Sequence, residues 1–359
     1  MPMKRPEKPE ELLKKSAELF GFDKRTAKLI PAHEGGRNMV FMIGEDRVLR
    51  FSGLEDRAFE DYLAETEYVS YLAKNGASVA AAVPSLQGRN AERVSCGGRE
   101  YAVSMFRRAK GDQLAAHGYR YRENTPIEEY WFNTGSTLGK MHALSKDYNP
   151  EHRRFDFFDK YSEAYFETLI PDGLICPFLG DQPVGRAVKE KAGRLLERLR
   201  ALPRGADDYG MIHFDYSDGN YNIDYRDGTL TVFDFDNCRY GWYLFDLANL
   251  WTHGVGWIAW NENACERKTF MDRYFAEVLR GYRSECDLPD AMLSFLPLMI
   301  DAVRLENIVD EFEVQIAEGK SPFCDGEQAF RLKGLLEDIP FMGFFSEIYD
   351  PESPFDLDA

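Results

Sequence analysis

The sequence predicts an α+β chain of two lobes, a small antiparallel β lobe with one long helix over residues 1–106 and a larger, mainly helical lobe over residues 107–359. Three observations lead there. The 359 residues exceed what one hydrophobic core usually organises. Short alternating runs broken by glycine turns fill the stretch up to Phe106, and from Arg108 onward apolar residues recur at helical spacing.

Taken in order, an amphipathic helix is expected near residues 10–20, and 38–43 and 47–52 read as strands around the Gly44-Glu45-Asp46 turn. The long helix is expected from about Asp56 to Asn75, where Gly76 stops it. Phe59, Tyr62, Leu63, Val69 and Leu72 form its apolar stripe. At about 100° per residue Glu65 falls near Val69 and Leu72, whereas Glu60 and Glu67 point away. A second hairpin around Gly97-Gly98 leads into 100–106. In the second lobe helices are expected over 133–144, 188–202, 267–283, 293–316 and 325–337.

Composition narrows the function. Lys plus Arg total 44 against 61 Asp plus Glu, a net charge of -17 that repels nucleic acid and anionic membrane and attracts a cationic or amine-bearing molecule. Acidity is equally a general solubility feature. Residues 1–11 are charged and hold no apolar core of a leader, and no apolar run reaches membrane-spanning length, so a cytoplasmic location is expected. The six cysteines are scattered without a CxxC pair and are expected to be reduced core thiols. There is no internal repeat, and a homodimer is compatible with the sequence.

The most informative segment is His213-Phe214-Asp215-Tyr216-Ser217-Asp218-Gly219-Asn220 with Val232-Phe233-Asp234-Phe235-Asp236 downstream. HxDxxxxN is the spacing of a phosphotransfer loop, in which the Asp takes a hydroxyl proton, the Asn holds one Mg²⁺ and a later Asp holds another. Asp227-Gly228 between alternating runs predicts a two-residue hairpin turn. That register sets Ile223 opposite Val232 and Tyr221 opposite Asp234, which brings Asp234 back to Asn220. Asp215, Asn220 and Asp234 are also ordinary turn formers. His213 reads as a bracket for the loop rather than a proton carrier. Asp236 is either a further metal ligand or a solvated strand-end acid.

With these residues in hand, the segment resembles the catalytic motif of the aminoglycoside phosphotransferase, choline kinase and homoserine kinase superfamily. The likeness runs through Gly241 to Asp246-Leu247-Ala248 and covers about residues 31–282. It implies a bilobal protein-kinase-like fold, ATP and Mg²⁺ as cofactors, and transfer to a small-molecule hydroxyl. It implies Asp215 as base beside His213, Asn220 and Asp234 as metal ligands, and Asp246 as an ordering acid. It also implies Arg50 as the phosphate-contacting cation with Glu65 as its ion-pair partner, and a hinge at Ser104-Met105-Phe106-Arg107 whose backbone binds adenine. Gly36, Arg37 and Asn38 would cover the phosphates, or form a plain turn. His142 resembles the histidine ending a family helix and reads as core. The chain departs from the family at Phe214, where glycine is usual, and carries Ser217 where protein kinases carry lysine, which favours a small acceptor. Trp242, Trp251, Trp257 and Trp260, with Tyr240 and Tyr243, could hold an ammonium group, although large aromatics at this spacing more often pack a core. A nucleotide-binding pseudokinase and a Ser/Thr protein kinase are the alternatives.

Overall fold

The computed structural model describes residues 9–31, 38–55, 57–258, 261–324 and 326–337. In chain order they form α1 (Pro9–Phe20), β1 (Ala27–Leu29), β2 (Asn38–Ile43), β3 (Arg47–Gly53), α2 (Phe59–Lys74), β4 (Ala91–Cys96) and β5 (Arg99–Arg107). There follow α3 (Ile127–Lys146), α4 (Phe157–Lys160), α5 (Glu163–Leu169), α6 (Gly185–Arg200), β6 (Tyr209–Ile212), β7 (Tyr221–Ile223), β8 (Leu230–Val232) and β9 (Arg239–Trp242). The chain closes with α7 (Tyr243–Ile258), α8 (Ala264–Arg283), α9 (Asp290–Leu293), α10 (Leu296–Ala317) and α11 (Gly326–Leu336). None of the described helices is long and apolar enough to cross a membrane. The described residues group into two compact units, one made of those within 1–120, 148–155 and 218–238, the other of those within 121–147, 156–217 and 239–359.

The first unit is built on an antiparallel sheet of order β1-β2-β3-β5-β4. β1 is a short edge strand that the sequence pattern did not announce. Leu12, Leu13 and Phe20 of α1 join Phe41, Leu49, Phe51, Tyr101, Val103 and Met105 in one buried cluster. Strand side chains alternate faces, so with Leu49 and Phe51 committed to that cluster, Arg50 emerges on the other face. The β4–β5 turn is the expected Gly97-Gly98, both at positive φ, as a two-residue turn with strand-matching twist requires. α2 starts later than expected, at Phe59, and ends before Gly76 at φ +89°; Asp56 lies outside the described residues.

The β7–β8 hairpin corrects the expected register by two residues. Tyr221 pairs with Val232 and Ile223 with Leu230. The Asp224 carboxylate accepts the Arg226 N–H at 3.1 Å, and the Asp224 carbonyl accepts from Asp227 at 3.2 Å and Gly228 at 2.8 Å. An Asx turn thus draws Tyr225-Arg226-Asp227-Gly228 into a four-residue loop, in preference to the two-residue turn Asp-Gly suggested. A shift of two leaves each side chain on its expected face.

In the second unit α3 and α8 cross at backbone contact. A Cβ added at Gly135 would meet the Val278 carbonyl oxygen at 1.9 Å, and one at Gly281 would meet that of Phe132 at 2.0 Å. Glycine is therefore required at both crossing points. Trp242 and Trp251 are fully buried, as the packing interpretation expects, and Trp257 stacks on Tyr130 at 5.8 Å; Trp260 lies outside the described residues. Five cysteines are buried free thiols, whereas Cys265, on the first turn of α8, is exposed.

Candidate active site

Arg50 of β3 and Glu65 of α2 meet in the first unit. Arg50 Nη1 donates to Glu65 Oε1 at 2.8 Å and Nη2 to Oε2 at 2.6 Å, a two-pronged pair in which Arg50 is 5% and Glu65 0% exposed. The helical phase of α2 therefore selects the acid expected from sequence. Arg50 Nη1 is also 3.8 Å from Asp234 Oδ1, and its Cζ lies 5.2 Å from the Phe106 ring centroid. Burial opposes the charge on Arg50, yet Glu65 and Asp236 hold its pKa above the ordinary value.

Asp234 sits just past β8. Phe233 N–H donates to the Asn220 carbonyl at 2.9 Å, so the observed register joins the chain at Asn220 to the residue before Asp234. The Gly219 carbonyl accepts from Gln113 and the Asn222 amide donates to the Ala109 and Gly111 carbonyls, which ties this loop to the 109–113 stretch. Asp234 adopts φ +60° and leads a short 3₁₀ turn, Phe235–Asn237. About half its side-chain surface is open (50%), yet its carboxyl is crowded by protein atoms; that burial and the charge of Asp236 push its pKa up to about 6 against the pull of Arg50.

Asp236 itself is buried and paired with Arg57 at 2.9 Å. Arg57 also donates to the Asp236 carbonyl at 2.6 Å. Arg154, 2% exposed, donates to three carbonyls, those of Cys238 at 2.8 Å, Asp236 and Asp61. One guanidinium thus fastens the turn after Asp234 to the first turn of α2. Sequence reasoning missed Arg57 and Arg154, because a side chain that recognises backbone carbonyls far along the chain leaves no local motif.

The remaining expected nucleotide residues are distributed as follows. Asn38 accepts from the Ser52 hydroxyl at 2.6 Å. Ser104 pairs opposite Arg50 across β3 and β5. The expected hinge is strand: the Met105 carbonyl accepts from Val83 N–H at 2.7 Å and Arg107 N–H donates to Ala81 at 2.8 Å. Gly36 and Arg37 lie outside the described residues.

In the second unit the loop after β6 is held by Asp246, which is 0% exposed. Its carboxylate accepts the backbone N–H of His213 at 2.9 Å and of Phe214 at 2.8 Å, while His142 Nε2 lies 3.2 Å away. His142 Nδ1 is in turn 3.0 Å from the Tyr282 hydroxyl. Asn249 donates to the Phe214 carbonyl at 2.8 Å and Tyr216 to the Thr134 carbonyl at 3.0 Å. Within this frame His213, Phe214 and Tyr216 are buried and Asp215 alone among them is exposed. An immobilised loop that presents one carboxylate suits a group that must take a proton in a fixed direction.

α10 adds acids that the sequence analysis did not single out. The Tyr165 hydroxyl and Lys160 Nζ both donate to Glu313, at 2.9 Å each, and the Tyr161 hydroxyl lies 3.5 Å from Glu306. Burial and the charge of Asp310 push Glu306 up to about 8, with Asp215 adding to the rise.

A profile of the phosphotransferase enzyme family matches residues 28–288. The amicoumacin kinase of Bacillus subtilis (strain 168) is 27% identical over 310 residues, which cover 84% of this chain and 83% of that protein. Among solved structures, an amicoumacin kinase in complex with AMP-PNP, Ca²⁺ and Ami superposes with a TM-score of 0.76 at 22% identity, covering 97% of this chain and 96% of that one. A microcompartment-associated aminopropanol kinase superposes with a TM-score of 0.62 at 19% identity, covering 92% and 94%. The α+β architecture described above is the protein-kinase-like fold of these structures.

Proposed function

Because the chain belongs to the phosphotransferase enzyme family and is a small-molecule kinase, we propose that it moves the γ-phosphoryl group of ATP, with Mg²⁺, to a hydroxyl of a small, amine-bearing molecule. One observation carries the reading: a buried arginine held by two prongs on Glu65, with the half-open Asp234 carboxylate 3.8 Å from it. Such an arginine keeps its charge and direction without rearrangement, which is what phosphate positioning demands.

In this reading residues 1–106 form the nucleotide lobe and 107–359 the catalytic and acceptor lobe. Asp215 accepts the acceptor hydroxyl proton, Arg50 steadies the phosphates and Glu65 steadies Arg50. Gly36, Arg37, Asn38, Ser104 and Phe106 keep the nucleotide roles assigned from sequence, and His213 acts as a loop bracket. The donor set fits a hard divalent ion: Asp234 is a carboxylate whose pKa burial and the neighbouring charge of Asp236 push up to about 6 despite Arg50, so a cation there would be welcome, and Asn220 supplies a neutral oxygen. Asp236, already paired with Arg57, is assigned to the turn rather than to the metal. Held by these residues, the ion would supply positive charge that offsets the charge on the group in transfer.

Protonated Asp234 cannot ligate, so the metal concentration for half-maximal nucleotide binding is expected to rise as pH falls through about 6. A metal titration at pH 5.5 and 7.5, values chosen about half a unit or more to either side, reads this directly; equal affinities would remove Asp234 from the metal site.

An amine-bearing acceptor is supported by the net charge of -17 and by the acids of α10, of which Glu306 feels the charge of Asp215. It is also in keeping with the amicoumacin and aminopropanol kinases it resembles. Mg²⁺-dependent ATP consumption across amicoumacin, amino alcohols, aminoglycosides, choline and homoserine tests the reading. Turnover confined to acceptors without an amine would contradict the acceptor class.

A further inference from the structure

We propose that Arg239 is a positioning residue for the base loop, clamping Phe214 in left-handed backbone and thereby fixing the direction of Asp215. The proposal rests on Asp215 being the base. Phe214 has φ +72°, a conformation that glycine adopts freely and a side-chain-bearing residue leaves unless something holds it. The peptide is pinned at both ends, through its N–H by Asp246 and through its carbonyl by Asn249. The ring is pinned as well. The Phe245 ring lies parallel to it, 8° between planes and 4.4 Å between centroids. Arg239 Cζ stands 3.6 Å from the Phe214 centroid. A guanidinium that close over the ring cannot share a face with a parallel ring, so Phe245 and Arg239 grip opposite faces.

Strand register delivers the arginine. Arg239 pairs with Ile212 across β6 and β9, which makes it the diagonal neighbour of Phe214, two residues further along the chain. Arg239 is only 2% exposed, with the Tyr161 ring 5.7 Å from its Cζ. Burying a guanidinium is costly, and aromatic faces offset part of that cost while the cation orders them. An apolar residue would pack at this position at lower cost, but without a planar cation to lie on the ring.

A double-mutant cycle in steady-state kinetics tests the clamp. Arg239→Met, which keeps the stem and removes the charge, is expected to lower kcat about 10- to 100-fold with the nucleotide KM little changed. Phe214→Gly is expected to cost only a few-fold, because glycine holds φ +72° unaided. The double variant should then be no slower than Phe214→Gly. A wild-type kcat for Arg239→Met would overturn the proposal. So would a double variant slowed, relative to Phe214→Gly, by the same factor as Arg239→Met in the wild type, since Arg239, whose charge also acts on Glu306, would then work through that acid or on the substrate. If Arg239→Met does not fold, Arg239→Gln, which also removes the charge, is read in the same cycle by the same criteria. Failure of Asp215 as base shows in the Asp215 variant alone, whereas failure of the clamp shows only in this cycle.

Discussion

Asp215→Asn is expected to reduce kcat by about 10²- to 10⁴-fold, the usual range for loss of a positioned general base. Nucleotide and metal affinity should change little, because Arg50, Glu65, Asn220 and Asp234 are untouched. The substitution is nearly isosteric and the side chain is exposed, so folding should be unaffected. Single-turnover transfer measured with saturating ATP and acceptor, alongside a nucleotide titration, separates the two effects. Turnover at the wild-type rate would remove Asp215 from the mechanism and leave the exposed carboxylate between buried neighbours without a role.

The second large effect is expected at Asp246. This buried carboxylate receives two backbone N–H groups from the base loop and stands 3.2 Å from His142. Asp246→Ala leaves those donors buried and unpaired, at about 1–3 kcal/mol each, so a loss of roughly 3–5 kcal/mol of stability is expected. In the fraction that folds, kcat should fall at least tenfold, since 1 Å of misplacement can cost about 10²-fold. Thermal unfolding and kcat of purified protein read the two consequences separately. A variant as stable as the wild type would mean that the loop is held by its ring contacts instead.

How much of this was legible in the sequence differs from residue to residue. The Arg50–Glu65 pair could be derived because strand alternation and helical phase each leave one direction for a side chain, and both directions held. The hairpin faces were legible and its register was not: Asp-Gly signals a turn, but the turn-stabilising group was the Asp224 carboxylate three residues earlier, and it drew in a longer loop. Asp246 as an ordering acid came from resemblance, whereas its grip on two consecutive N–H groups arises only where the fold brings α7 to the loop after β6. The segment before the expected hinge was legible as the second arm of the Gly97-Gly98 hairpin, whereas its backbone bonds to Ala81 and Val83 were not, because those residues follow no alternating pattern. Arg57, Arg154 and Arg239 gave no signal at all. Each acts on backbone carbonyls or a ring brought close by tertiary packing, and nothing local in sequence marks such a residue.

The central claim is that Asn220 and Asp234 hold the divalent ion of a nucleotide steadied by the Arg50–Glu65 pair. A structure with a non-hydrolysable ATP analogue and Mg²⁺ tests it most directly. The account predicts the ion about 2.0–2.1 Å from one oxygen of each of Asn220 and Asp234, with Arg50 contacting a phosphate while still paired to Glu65. An ion bound elsewhere, with Asp234 left unligated, would contradict it.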